Sequence, residues 1–119
     1  MKTFSIGLII FVATTAVAVA HHGLAAFDRT TKVTLTGTVI DFHFVNPHCV
    51  VEFEVKDQDG QVHKWQAEMT SPRNLKGWTA TSLEPGDVVT VTGYRAKSGA
   101  LFVWVTELSS SNGMKLRGA

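Results

Sequence analysis

Alternation of apolar and polar residues constrains the fold of this chain most, because it recurs in short segments separated by turn residues. The clearest case is residues 51–56, where valine or phenylalanine alternates with glutamate or lysine. Side chains of a β-strand point alternately to opposite faces, so this segment predicts a strand with one buried and one solvated face. A chain built from such segments predicts an all-β domain and gives no support to an α/β or helical fold.

The first strand segment changes the parity of its apolar positions. Residues 33–39 are apolar at odd positions, whereas residues 40–44 are apolar at even positions. Such a change within one β-rich run predicts a β-bulge or a strand that changes faces. Gly37 fits a bend in this strand, and Asn46-Pro47 ends it because proline cannot donate a hydrogen bond to the ladder.

Three further alternating segments, at residues 62–69, 88–94 and 101–108, complete the pattern. Between the first two of them, Ser71-Pro72 predicts the start of a short helix that Gly77 stops. This element order is that of an OB-fold, a five-stranded, partly open barrel. We therefore predict an all-β, five-stranded OB-like barrel with one short helix between strands three and four, and a two-sheet sandwich is the alternative. The residues that we expect in its core include Val51, Phe53, Val55, Trp65, Val91 and Val103.

Residues 1–20 have the composition of a signal peptide. Lys2 provides a positive start, an uncharged apolar run follows, and small residues end the stretch at Ala18 and Ala20. We expect cleavage after Ala20, with cleavage after Ala18 as the lesser alternative and a retained membrane anchor as the other. The mature chain would begin at His21, lie in the periplasm or be secreted, and keep no stable membrane anchor.

These expectations divide the chain into a signal peptide at 1–20, an OB-like barrel with an N-terminal arm at 21–108, and a flexible tail at 109–119. Removal of Lys2 would leave ten basic and ten acidic side chains. A net charge of zero argues against nucleic acid as a partner. The single cysteine, Cys49, excludes an internal disulfide and any multi-cysteine metal site.

The processed N-terminus offers nitrogen ligands for a metal ion. After cleavage at Ala20, the free amine and the imidazole of His21 can chelate one ion beside His22, and such ligands favour copper(II). Cleavage after Ala18 would instead place His21 third, where the amine, two amides and the imidazole can enclose a square-planar ion. We predict a copper site formed by His21, His22 and His48, and the alternative is a polar terminus that binds no metal.

The other candidate side chains have simpler structural interpretations. We expect His43 and His63 to be packed or rim histidines, and Cys49 to be a small core residue rather than a metal ligand. Glutamates of residues 51–56 should be solvated. The three tryptophans should build the core rather than line a ligand groove.

Conventional catalysis has little support in the sequence. It contains no nucleophile elbow, no phosphate-binding glycine loop and no zinc-protease motif. We therefore expect a protein without enzymatic activity. Its partner would be a metal ion or, in the alternative, an unknown small ligand or protein bound by a metal-free barrel module.

A set of short motifs extends over almost the whole mature chain. They are His21-His22, Phe27-Asp28, residues 33–39, Asn46-Pro47-His48, Val55-Lys56-Asp57, Asp59-Gly60, Ser71-Pro72, Gly77-Trp78-Thr79, residues 83–87 with the Pro85-Gly86-Asp87 turn, and residues 89–99. Through them the chain resembles a family of small secreted proteobacterial proteins of unknown function. The resemblance implies secretion and a small β-barrel, and it implies no activity.

Overall fold

Antiparallel β-strands dominate residues 23–118, which are the residues that the computed structural model describes. The strands are β1 (Phe27–His43), β2 (Val50–Lys56), β3 (Val62–Glu68), β4 (Val88–Ala96), β5 (Phe102–Ser110) and β6 (Lys115–Arg117). Short 3-10 turns lie at Gly23–Ala26 and Pro72–Asn74. The predicted signal peptide and the two histidines that follow it, His21 and His22, lie outside the described residues.

The strands form one sheet that closes on itself. Their order is β3-β2-β1-β4-β5-β6, and a parallel pairing of β3 with β5 joins the two sides. That closure is short, because it consists of the pairs Gln66 with Phe102, Ala67 with Val103 and Glu68 with Trp104. The predicted all-β, OB-like barrel is confirmed, but it has six strands in place of the predicted five. Within residues 23–118, no helix has the length and apolar character needed to cross a membrane.

The predicted parity change in β1 is a β-bulge at Ile40. Val39 pairs with Phe53, whereas Asp41 already pairs with Glu52, so Ile40 is the extra residue. The side chains on either side of the bulge can therefore share one interior, and both Val39 and Phe42 are buried. The same shift directs Asp41 to the outside of the barrel.

Two glycines allow strands to approach closely. A Cβ atom on Gly37 would lie 2.3 Å from the carbonyl oxygen of Glu54, and one on Gly93 would lie 1.9 Å from that of Trp104. Neither approach leaves space for a side chain. Gly93 also adjoins the irregular register between β4 and β5, so both glycines mark places where the sheet bends into a barrel.

The barrel interior is apolar and contains most of the residues predicted for it. Among the predicted core residues, those of β2 and β3 at positions 51, 53 and 65 and those of β4 and β5 at positions 91 and 103 are buried. Val55 is half-buried and packs against the cluster. It lies one residue before the end of β2, next to an exposed turn, so the barrel covers it incompletely.

The structure differs in detail from the prediction at the short helix and at the C-terminal segment. The predicted helix is a single 3-10 turn at Pro72–Asn74, followed by Gly77 in the left-handed region with φ of 81°. The segment expected to be a flexible tail extends β5 to Ser110 and then forms β6, which pairs with β5. This segment forms a strand because Met114 and Leu116 both pack against the core cluster.

Candidate functional site

Each histidine within residues 23–118 lies beside at least one carboxylate. The contacts are His43 with Asp41 and Glu52, His48 with Glu68, and His63 with Asp57. The structure therefore does not gather the barrel histidines around one point. It distributes them over three carboxylate sites that differ in burial.

The pair formed by His48 and Glu68 is the most protected of the three. Nδ1 of His48 lies 2.5 Å from Oε1 of Glu68, and the side chains are 27% and 11% exposed. Glu68 is the one buried charged residue in the described part of the chain. A buried carboxylate needs a hydrogen-bonded partner, and here the imidazole provides it. The bond engages Nδ1 and leaves Nε2 as the available nitrogen of the ring.

The surroundings of His48 fix its ring further. The imidazole meets the ring of Trp104 edge-on, with centroids 5.2 Å apart and an interplanar angle of 86°. It also lines a cleft of about 160 Å³ together with Pro47, Val50, Gln66, Glu68 and Phe102. The cleft lies where β3 meets β5, so the closure of the barrel positions the histidine, the carboxylate and the apolar wall together.

The N-terminal end of β1 passes the same tryptophan. The Phe27 ring lies 5.9 Å from that of Trp104 and 5.8 Å from that of Phe102. Just before it, the carbonyl of Ala26 accepts a hydrogen bond from the amide of Lys97. The start of the described chain is thus held beside the aromatic group that supports His48.

Cys49 follows His48 in the chain but points into the core. It is fully buried, and this burial raises the pKa of the Cys49 thiol. A thiol that stays protonated is a poor metal ligand. The expectation of a core cysteine is confirmed.

His63 belongs to a turn. Its Nε2 lies 2.6 Å from Oδ2 of Asp57, while Oδ1 of Asp57 accepts the amide hydrogens of Asp59 and Gln61 at 2.9 Å each. The hydrogen bond from His63 is the main reason that the pKa of Asp57 lies below its usual range. This pair stabilises the β2–β3 hairpin, in agreement with a rim histidine.

The third site lies on the outer face of β1 and β2. Donor atoms of Asp41, His43 and Glu52 all lie within 4.8 Å of one another, and no other such group occurs in the described part of the chain. The sequence interpretation treated Glu52 as solvated and passed over Asp41. The signal was present in the parity change, because a bulge at Ile40 brings Asp41 opposite Glu52.

Glu68 was also missed by the sequence interpretation. Strand alternation places it opposite to the face of Trp65 and Ala67, where a solvated carboxylate is expected. In the structure, β5 runs parallel to the end of β3 and pairs Trp104 with Glu68. Pairing between distant strands covers the carboxylate. Such pairing cannot be predicted from the alternation within one strand.

The three tryptophans are buried, as the core interpretation predicts. The Arg95 guanidinium lies over the ring of Trp65, 5.3 Å from its centroid. Trp78 packs edge-on against Phe42. Trp104 differs from them because it separates Phe27 from His48.

Comparison with known proteins adds a family. The model of a family of unknown function, DUF6152, matches residues 9–103. The chain belongs to this family. None of the curated protein sequences matches the chain, and DUF6152 itself is a family of unknown function.

Solved structures are similar to this DUF6152 protein in fold. Rim1, a mitochondrial single-stranded DNA binding protein from S. cerevisiae, gives a TM-score of 0.54 at 14% identity over 68% of this chain and 93% of that one. A ZRD-deleted mutant of TiaS in complex with agmatine gives a TM-score of 0.50 at 19% identity over 65% of this chain. This chain covers only 20% of that TiaS chain. At such identities the likeness supports the OB-like fold alone.

Proposed function

We propose that this DUF6152 protein is a small periplasmic or secreted copper-binding protein whose site combines His21, His22 and His48. The observation that carries the proposal is the pairing of His48 with the buried carboxylate of Glu68 through Nδ1. A metal-binding histidine characteristically gives its other ring nitrogen to a carboxylate, which fixes the tautomer and the ring orientation. His48 has that arrangement, with Nε2 left for an ion.

The position of the chain start provides the second support. Trp104 contacts both His48 and Phe27, and His22 precedes Phe27 by only five residues in the sequence. Four of these residues form the 3-10 turn Gly23–Ala26, which rises about 2 Å per residue, so His22 lies within roughly 10 Å of Phe27 along the chain. An imidazole at position 22 is therefore within chain reach of Nε2 of His48.

The chemistry of these donors selects the metal. Imidazole nitrogens, together with the free amine that cleavage after Ala20 would create, favour copper(II) over zinc(II) in the general affinity order. Signal-peptide removal would create part of the site, since His21 has no free amine before it. Zinc(II) should accordingly bind more weakly than copper(II) at the same site.

The experiment is calorimetric titration of copper(II) into protein recovered from the periplasm. Intact mass should first show a chain that begins at His21, and a mass that retains residues 1–20 would refute the processing part of the proposal. The native chain should bind copper tightly in one event that includes the N-terminal amine. One extra residue before His21 should weaken this event although every imidazole is kept.

Single substitutions locate the site. His21→Ala and His48→Ala should each lower the copper affinity by at least about tenfold, because loss of a ligand costs no less than loss of its supporting partner. His63→Ala is the matched control, since His63 pairs with a carboxylate in the same way and should leave copper binding unchanged. Equal copper affinity in the native, extended and His21→Ala proteins would overturn the proposal.

A second candidate function is binding of a small ligand without metal. A cleft of about 470 Å³ is lined by cationic and aromatic side chains, among them Arg29, Lys32, Tyr94 and Trp104. The ammonium of Lys32 lies 5.6 Å from the Tyr94 ring centroid, so the cleft offers a positive charge and an aromatic face to a ligand, with the Glu107 carboxylate also in its wall. If copper binding fails, a ligand screen with Lys32→Ala as the control tests this candidate.

A further inference from the structure

The outer face of β1 and β2 holds three donors that the copper proposal does not use. The bulge at Ile40 places Asp41 opposite Glu52, and His43 follows two residues later on the same side of β1. Without the extra residue, a β-strand register would place position 40 opposite Glu52 and turn the acid away. The bulge therefore assembles an aspartate, a histidine and a glutamate on two rigid paired strands.

Each carboxylate in this group is oriented through one oxygen and presents the other. Oδ1 of Asp41 accepts the amide hydrogen of Phe42 at 2.8 Å. Oε1 of Glu52 accepts a hydrogen bond from the Gln66 side chain at 3.3 Å and lies 3.7 Å from Nζ of Lys64. The remaining oxygens, Oδ2 and Oε2, are the ones that face His43. Carboxylates that bind metals are likewise oriented by hydrogen bonds from outer partners.

The spacing of the donors fits a small cation. Nε2 of His43 lies 3.6 Å from Oδ2 of Asp41 and 3.5 Å from Oε2 of Glu52. Ligands in a tetrahedral zinc site, each about 2.0–2.1 Å from the ion, are separated by roughly 3.3–3.4 Å. Octahedral neighbours around magnesium would be closer together, at roughly 3.0 Å. The carboxylate oxygens of Asp41 and Glu52 lie within 4.8 Å of each other, so a movement of up to roughly 1.5 Å between them completes the tetrahedral arrangement.

We propose that Asp41, His43 and Glu52 form a zinc(II) site, separate from the copper site, with water in the fourth position. One imidazole and two carboxylates are ligands that zinc accepts. The ion would also cancel the repulsion between the two acids. The side chains of Asp41 and His43 are 56% and 43% exposed, whereas that of Glu52 is 19% exposed. A bound ion therefore sits at the surface, where it can exchange with solvent.

The test uses the full mature chain and zinc(II) or cobalt(II) alone as the probe. Cobalt(II) gives intense visible bands only in a tetrahedral site, so its spectrum reports geometry as well as binding. We expect such bands in the wild-type protein. They should persist when His21, His22 and His48 are all replaced by alanine, because that variant lacks the copper site and keeps this one.

Variants at the site should remove the signal. His43→Ala, Asp41→Asn and Glu52→Gln should each lower zinc affinity by at least about tenfold and abolish the tetrahedral cobalt spectrum. His63→Ala and Asp57→Asn remove another histidine–carboxylate pair and should leave both readouts unchanged. A salt-bridge trio without metal would predict no tetrahedral spectrum in any variant. Either that result or equal zinc affinity of the wild type and His43→Ala would overturn the proposal, whatever the outcome for copper.

Discussion

Two histidine–carboxylate pairs of this protein have the same chemistry and different surroundings. The distance between the ring nitrogen and the carboxylate oxygen is 2.5 Å for His48 and Glu68, and 2.6 Å for His63 and Asp57. Glu68 is buried in the barrel wall and has His48 as its side-chain partner. Asp57 lies in an exposed hairpin turn, where its carboxylate also accepts two backbone amide hydrogens.

The difference indicates how the same kind of histidine–carboxylate pair can have two different roles. In the turn, the carboxylate organises the backbone, and the histidine is one of several donors to it. At the barrel closure, the carboxylate serves the imidazole alone, and the ring is held against Trp104 beside a cleft. Close contact therefore does not distinguish a binding histidine from a structural one. Under the copper proposal, burial of the carboxylate distinguishes the two pairs, since His63 also keeps a second ring nitrogen, Nδ1, outside its contact with Asp57.

The largest effect should come from a change that removes the support of both pairs together. Phe53 is fully buried, and its pairing with Trp65 lies between the β2–β3 pairs that contain Glu68 and His63. Phe53→Ala should lower the free energy of unfolding by roughly 3–5 kcal/mol, because it removes a large core side chain and leaves a cavity. Urea unfolding measures this, with Val55→Ala as the control of smaller effect at a half-buried position. A loss below about 1 kcal/mol for Phe53→Ala would mean that the core face has been assigned incorrectly.

The next effect should separate the two pairs. Glu68→Gln keeps the size of the side chain but weakens the partner of Nδ1, so copper affinity should fall by about 10–100-fold. Asp57→Asn makes the corresponding change in the turn and should leave copper affinity unchanged. Calorimetry on both variants makes the comparison. Equal copper affinities in the two variants would remove the distinction drawn between the pairs.

The smallest effect concerns the stability of the turn and its dependence on pH. Because the pKa of Asp57 is lowered in the folded protein, its ionised form stabilises the fold at neutral pH. That contribution is complete above the ordinary aspartate range near about pH 4 and is lost as the pH falls through the lowered value. Asp57→Asn should therefore lower the urea midpoint at pH 7, and the difference from wild type should shrink in acid. A difference that grows as the pH falls from about 4 through the lowered value would contradict the assignment.

Much of the fold could be predicted from local pattern. The parity change in β1 predicted the bulge at Ile40, and the alternation in β2 predicted the burial of Val51 and Phe53. Both are properties of one strand, because side-chain direction alternates along it. The turns between these segments then gave the order of the elements along the chain, which is that of an OB-fold.

The sites were less predictable because they depend on pairing between strands. Glu68 is buried by β5, whose contact with β3 joins residues far apart in sequence. Asp41 meets Glu52 only in the register that the bulge sets. Residues 109–117 contributed a sixth strand because Met114 and Leu116 find apolar partners on the barrel, which the polar composition of Ser109–Gly113 concealed.

Quenching of tryptophan fluorescence by copper(II) tests the central claim most directly. A paramagnetic ion at His48 would lie beside Trp104, whereas Trp65 and Trp78 have other contacts. Titration of the native-terminus protein with copper(II) should quench the emission. The quenching should saturate when one copper ion is bound at the tight site. The quenching should be lost in His48→Ala, strongly reduced in Trp104→Phe, and retained in His63→Ala. Equal quenching of the wild-type protein and His48→Ala would contradict the account.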